Sequence, residues 1–205
     1  MSLGYLVLGH VTQDVGVDGS RSPGGTAAYS SMTARALGVT PAIVTSFASD
    51  AVLGPLEDVT RHVVPSPSST TFENRYDTEG RTQRVLARAA LLDASSVPAA
   101  WRSPRVVHLG PVADEVDPAV ASLFPASLVG VTPQGWMRGW GGDGRVLRKR
   151  WTPTPALAAA ADAVVLSEED LDGDEEAIVR LAAAFRLTAV TAGPAGARVF
   201  VRGEE

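Results

Sequence analysis

Six short, β-branched apolar runs, separated by stretches richer in Ala and Leu, constrain this chain more than any other feature. The runs are residues 5–8, 43–47, 106–109, 128–132, 163–166 and 188–191, each bounded by Gly, Pro or polar residues, and they read as buried strands. Between them, residues 26–37, 118–124, 155–161 and 175–185 have helix-like spacing with Asp or Pro near their starts. Such alternation predicts a parallel, doubly wound sheet. Ligands of such sheets sit beyond the carboxyl ends of the strands, where Asp14, Gly24 and Asp50 are expected.

One section breaks the alternation. Residues 70–76 and 82–88 alternate polar with apolar side chains around Asp77-Thr78-Glu79-Gly80, a hairpin signature. We expect a two-stranded flap there, with residues 15–17 adding a strand, and with Phe72, Asn74, Tyr76 and Arg81 facing a ligand or standing on a plain surface ribbon. Pro23-Gly24-Gly25-Thr26-Ala27-Ala28-Tyr29 runs straight into the first small-residue helix, which Gly38 and Pro41 stop. Neither glycine carries a Cβ, so a ligand can approach the backbone, and the first N–H groups of the helix lack intrahelical partners. Such an end suits hydroxyl oxygens or anions.

Composition narrows the function classes. With 205 residues, 45% of them hydrophobic, the chain buries one substantial core, and one domain spanning 1–205 is expected. A formal net charge of −5 argues against a nucleic-acid surface, and Arg148-Lys149-Arg150 reads as a solvated basic face. No apolar run is long enough to span a bilayer, so no membrane partner is expected, and a cytoplasmic location is. There is no cysteine, hence neither disulfide nor thiolate metal site. His10, His62 and His108 stand singly, without partners at metal-ligand spacing, and each reads as structural. Neither a Gly-x-Ser-x-Gly elbow nor a Walker-type loop is present, nor does Gly-x-Gly-x-x-Gly follow the first strand.

The stretch from Pro23 to Gly38 resembles the first signature of the ribokinase-like (PfkB) carbohydrate kinases, a Gly-Gly pair leading into a small-residue helix that ends Leu-Gly. Residues 6–14 (Leu-Val-Leu-Gly-His-Val-Thr-Gln-Asp) are similar to the family's opening strand, which ends on an Asp that binds substrate hydroxyls, here Asp14. Residues 43–50, 161–170 and 189–197 are similar to later family segments in the usual order. The resemblance implies a ribokinase-like α/β fold: a doubly wound, mostly parallel sheet flanked by helices, with a small β-hairpin lid from strands at about 12–18 and 69–89. It also implies phosphorylation of a hydroxyl on a sugar, nucleoside or polyol, with ATP and Mg2+ as cofactors. Closing such a lid excludes water, whose attack competes with phosphoryl transfer.

Carried onto this sequence, the substrate side would comprise Asp14, Gly24, Gly25, Tyr29, Asn74, Arg81 and Gln134, and the donor side Ser167, Asp170, Thr191, Gly193 and Gly196. Gln134 lies in a loop with Trp136, Arg138 and Trp140, which reads equally as tryptophan packing. Ser167, Glu168, Glu169 and Asp170 equally read as a capped helix start favouring negative charge. Tyr29 stands where ribokinases place Asn, and Ser167 to Asp170 replaces the family's Asn-x-x-Glu, so ribose is not implied as substrate. The catalytic Gly-Ala-Gly-Asp turn of the family does not occur in residues 1–205, and a C-terminally incomplete chain is therefore expected. The alternative is a non-catalytic binding or regulatory protein that keeps the cleft. Family members commonly dimerise through the lid, and a lid-paired homodimer is the expected assembly.

Overall fold

The computed structural model describes residues 3–16, 18–77 and 80–205, with side chains throughout except at 76, 77, 80 and 81. In chain order the elements are β1 (Tyr5–Leu8), β2 (Thr12–Val15), β3 (Arg21–Gly24), α1 (Gly25–Ala36), β4 (Pro41–Phe47), β5 (Thr60–Pro65), β6 (Thr71–Asp77), β7 (Gly80–Ala87), β8 (Val106–Leu109), β9 (Leu128–Val131), β10 (Arg138–Trp140), β11 (Val146–Arg148), α2 (Pro155–Ala160), β12 (Ala163–Ser167), α3 (Glu168–Leu171), α4 (Glu175–Ala184), β13 (Leu187–Thr191) and β14 (Ala197–Val201). Eight strands form the main sheet in the order β14-β13-β12-β9-β8-β1-β4-β5. All its pairings are parallel except that of β13 with β14. The chain winds outward from β1 in one direction through β4 and β5, then returns to β8 and winds the other way. The switch point therefore lies between β1 and β8, and a cleft opens there at the carboxyl ends.

The six expected strands form where the apolar runs lie, and α1 and α4 follow the helical spacing. Asp174 caps α4, its side chain accepting from Ala177 N, and Ile178, Leu181 and Ala182 turn inward. Residues 118–124 were expected as a helix but make only a 3-10 stretch, Pro118–Leu123. Pro125 follows at once, and the residue before a proline is pushed out of the helical region. Strand β5 was not anticipated. It lies at the sheet edge with mostly half-exposed side chains, so its sequence carries no clean apolar run.

The flap is larger than a hairpin. A second sheet has the order β3-β2-β6-β7, in which β2 pairs parallel with β6 and antiparallel with β3. Its first strand, Thr12–Val15, begins where the lid strand was expected at about 12–18 and stops short of residues 16–17, and Val17 lies outside the described residues. The Pro23-Gly24 pair belongs to β3, so only Gly25 opens α1.

The two faces of the main sheet are covered unequally. On one, Leu6, Val107, Val129, Val164 and Val190 pack with Leu157 of α2 and Ile178 of α4. On the other, α1 places Ala27 and Ala28 over Val7 and Ile43. Beyond α1, that second face runs through Gly130, Ala163, Val165, Ala189 and Val199 with no helix over it among the described residues. Val165 is 40% exposed and its chain neighbour Val164 is 0% exposed. In urea unfolding, Val164→Ala is expected to cost about 2 kcal/mol and Val165→Ala less than about 0.5 kcal/mol, because only the first removes fully buried methyl groups. Equal costs would show that this face is covered.

Candidate functional site

A cavity of about 520 Å3 opens at the switch point between α1, the second sheet and the loops that follow β8 and β9. From β2 come Thr12 and Asp14, from β6 Phe72 and Asn74, and from β7 Gln83. These side chains share one face of the second sheet, since Asp14 pairs with Phe72 and Asn74 pairs with Gln83. Gly25, Thr26, Tyr29, Ser30 and Thr33 of α1 form the facing wall, closed by Val112, Gln134 and Arg138. Asp14 is thus on the second sheet and not at the end of β1, because the chain leaves the main sheet at residues 9–11 before reaching it.

Backbone geometry explains the two glycines. Gly25 has φ +85°, and a Cβ there would come within 2.7 Å of the His10 carbonyl oxygen. A Cβ at Gly24 would lie 2.6 Å from Asp14 Oδ2, so this glycine makes room for the carboxylate and is not itself a wall of the cavity. No side chain caps α1 and no acid lies in its first turn, which leaves its N–H end open towards the cavity.

Two pairs of polar side chains are hydrogen-bonded within the wall. Thr12 Oγ1 donates to Asp14 Oδ1 at 3.2 Å, and Gln83 Nε2 donates to Asn74 Oδ1 at 3.0 Å across the ladder. Arg138 Nη1 donates to Val112 O at 3.1 Å, with its guanidinium 5.7 Å from the centre of the Phe72 ring. Val112 is itself held by Glu115, a buried carboxylate that accepts from His10 N at 2.9 Å, Val112 N at 2.9 Å and Ala113 N at 2.6 Å. Glu115→Gln would turn an amide NH2 towards one of these N–H groups. We expect that substitution to cost about 2–4 kcal/mol in urea unfolding, where a merely space-filling side chain would cost nearly nothing.

Of the expected substrate-side residues, Asp14, Gly25, Tyr29, Asn74 and Gln134 come together here, Tyr29 at the rim with 59% exposure. The Arg81 side chain lies outside the described residues, as does that of Tyr76. Asp50 is not part of the site; it is exposed and pairs with Arg21 at 3.3 Å. The sequence reading missed Thr12, Gln83 and Glu115. Gln83 was legible in principle as an in-facing position of the hairpin.

The donor-side residues divide. Ser167, Thr191 and Gly193 line one hollow of about 400 Å3 at the carboxyl ends of β12 and β13, beside Arg148, Glu168, Glu169 and Asp172. Asp170 instead closes a capping box, its Oδ2 accepting from Ser167 N at 3.1 Å, and it faces a separate groove with Arg148 and Trp151. Gly196 closes the turn before β14, where Gly196 N donates to Gly193 O. In the tryptophan loop Trp136 is buried and stacks on Trp151 at 5.7 Å between ring centres, as the packing alternative has it, while Gln134 and Arg138 line the cavity. Arg148, Lys149 and Arg150 are ion-paired with Asp172, Asp114 and Asp174. Among the described residues no cluster of His, Cys, Asp and Glu is arranged to hold a metal ion, and no helix is long and apolar enough to cross a membrane.

Beneath α1, Tyr5 OH lies 2.7 Å from His108 Nδ1, and His108 Nε2 lies 2.8 Å from Thr132 Oγ1. Burial holds the imidazole neutral, lowering its pKa to about 4, and raises that of the Tyr5 phenol. A folded-state pKa below that of the unfolded chain means stability present above pH ~6.5 and lost as the pH falls towards 4. We expect the wild type to lose about 1–3 kcal/mol more over that window than His108→Gln, measured by urea unfolding at each pH. Parallel curves would remove His108 as the cause.

Similar solved structures share this fold. A pyrophosphate-dependent kinase in the ribokinase family, solved as a sulfate complex, superposes with a TM-score of 0.78 at 21% identity, over 96% of this chain and 76% of that one. A pyrophosphate-dependent myo-inositol-1 kinase converted into a myo-inositol-3 kinase gives 0.79 at 20% identity, over 96% and 73%. Fructokinase from Vibrio cholerae O395, in apo form, gives 0.66 at 22% identity, over 98% and 79%. No protein-family model matches the chain, and no curated protein does. The fold is therefore ribokinase-like, an α/β architecture built on a mostly parallel sheet.

Proposed function

We propose that this chain carries the acceptor site of a small-molecule kinase, which moves a phosphoryl group from a phosphate donor to a hydroxyl of a sugar or polyol. The observation that carries the reading is the cavity wall itself. Its polar groups are hydroxyls, amides, one carboxylate and one guanidinium, grouped around Asp14 at the sheet's switch point. A carboxylate accepts two hydroxyl protons at once, and neutral amides and hydroxyls complement a polyhydroxylated neutral molecule. A nucleoside is less well served, since the one ring in the inner wall, Phe72, has Arg138 over it and Tyr29 is mostly exposed. Fructose and myo-inositol chemistry in structurally similar proteins supports the sugar and polyol reading.

In the reaction, the acceptor oxygen forms a bond to phosphorus as the bond to the donor's leaving phosphate breaks, and the hydroxyl proton passes to a base. Asp14 would hold and orient the hydroxyls. The base expected in a Gly-Ala-Gly-Asp turn is not within residues 1–205. The hollow at Ser167, Thr191 and Gly193 would take the donor. Mg2+ bound to the donor would supply charge neutralisation at the phosphates, and Arg148, paired with Asp172, stands beside the hollow. ATP is the first donor to test and pyrophosphate the second, the latter used by structurally similar kinases. We further propose a cytoplasmic, lid-paired homodimer. A binding protein without turnover is the second reading.

The test is calorimetric titration with fructose, myo-inositol and a nucleoside, followed by turnover with ATP or pyrophosphate and Mg2+. Sugar or polyol binding is expected, weakened about 10–100-fold by Asp14→Asn, which removes a charged acceptor. Binding without turnover under every donor would favour the second reading, and binding of none of the three would sink both.

A further inference from the structure

We propose that His10 is a positioning residue that pins both hinge ends of the lid, setting where Asn74 and Gln83 stand relative to Asp14. This rests on the reading that the second sheet is a lid over the acceptor cavity. His10 follows β1 and is 0% exposed. Its Nε2 lies 2.9 Å from Ala90 O, and its Nδ1 lies 2.6 Å from Thr70 Oγ1. A carbonyl only accepts, so Nε2 carries the proton and Nδ1 accepts from the Thr70 hydroxyl. Thr70 Oγ1 accepts in turn from Ala89 N at 2.9 Å.

Thr70 precedes β6 and Ala89 follows the end of β7, so these bonds join the points where the chain enters and leaves the hairpin. The imidazole ties both points to the β1–β2 connection, whose own position is fixed by His10 N donating to Glu115 Oε1. Ala90 is held a second time, its N donating to Ser46 Oγ at 3.2 Å. An apolar side chain of similar size would fill the space but leave the Thr70 O–H without an acceptor and take from the Ala90 carbonyl its imidazole donor. Asn74 stands four residues beyond the pinned threonine, so a small rotation at the hinge displaces its amide within the cavity.

The test is hydrogen exchange on the natural full-length protein, comparing wild type with His10→Gln, His10→Leu and Thr70→Val. Loss of the pin is expected to speed exchange of lid amides at 72–74 and 83–86 about 10–100-fold in His10→Leu. His10→Gln, whose amide still reaches Ala90 O, is expected to fall between. Thr70→Val removes the hydroxyl from the lid side and should reproduce the effect even if a His10 variant does not fold. Amides of β12 and β13 should not change. Unchanged lid amides, or an equal rise at β12 and β13, would overturn the proposal. Because exchange is read without turnover, a protein that phosphorylates nothing yet shows the lid effect would sink only the kinase reading.

Discussion

Glu115 is the interaction on which the site depends. A carboxylate stripped of water is costly unless each lone pair finds a donor, and here backbone N–H groups supply them from two directions. One donor lies at the exit of β1 and two lie in the loop after β8, the strands that flank the topological switch. The carboxylate therefore stitches together the two chain exits that would otherwise part to form the cleft. Through His10 it reaches the lid, and through Val112 it reaches Arg138, whose guanidinium rests on the Val112 carbonyl.

With that stitch in place, the cavity has two walls that differ in how much core lies behind them. α1 is anchored by Ala27 and Ala28 against the main sheet, so its hydroxyl-bearing face at Thr26, Ser30 and Thr33 is fixed by packing. The lid instead contributes its carboxylate and amides from a sheet whose own buried cluster is small, Phe72 with Val112 and Ala113. A small core lowers the free energy of local opening, which is what the proposed lid role calls for. The acid of the cavity is on the lid, and Arg138 bridges lid and body by lying over Phe72 while bonded to Val112.

How much of this the sequence showed depends on how far apart the interacting residues lie. Strands in the middle of the sheet were legible because parallel strands carry near-continuous β-branched apolar runs, as at residues 163–166. Edge strand β5 was not, because Thr60, His62 and Pro65 are exposed at the edge and follow no two-residue rule. Asp14 was legible by resemblance, but its strand was misplaced, since nothing local marks the point where the chain changes sheets at Gly9. His10 and Glu115 are 105 residues apart, and no local pattern reports a bond of that span. The capping box at Ser167 and Asp170 was legible as spacing, and it shows why Asp170 cannot be assigned by resemblance alone: its carboxylate already has a local partner.

Parallel sheets occur almost only with both faces covered, which gives the uneven cover of this one a physical meaning. Gly130, Ala163 and Ala189 on the bare face are small, so whatever lies over them can approach the backbone closely, and Val165 and Val199 offer it apolar grip. The polar groups on that face do not ask for a partner of their own, because Tyr5, His108 and Thr132 satisfy one another. Burial keeps His108 neutral, so the imidazole adds no charge to the face. What the face lacks is therefore apolar cover alone. The cavity, by contrast, takes its polar character from α1, the second sheet and the loops after β8 and β9, at the carboxyl ends of the strands and not on the bare face.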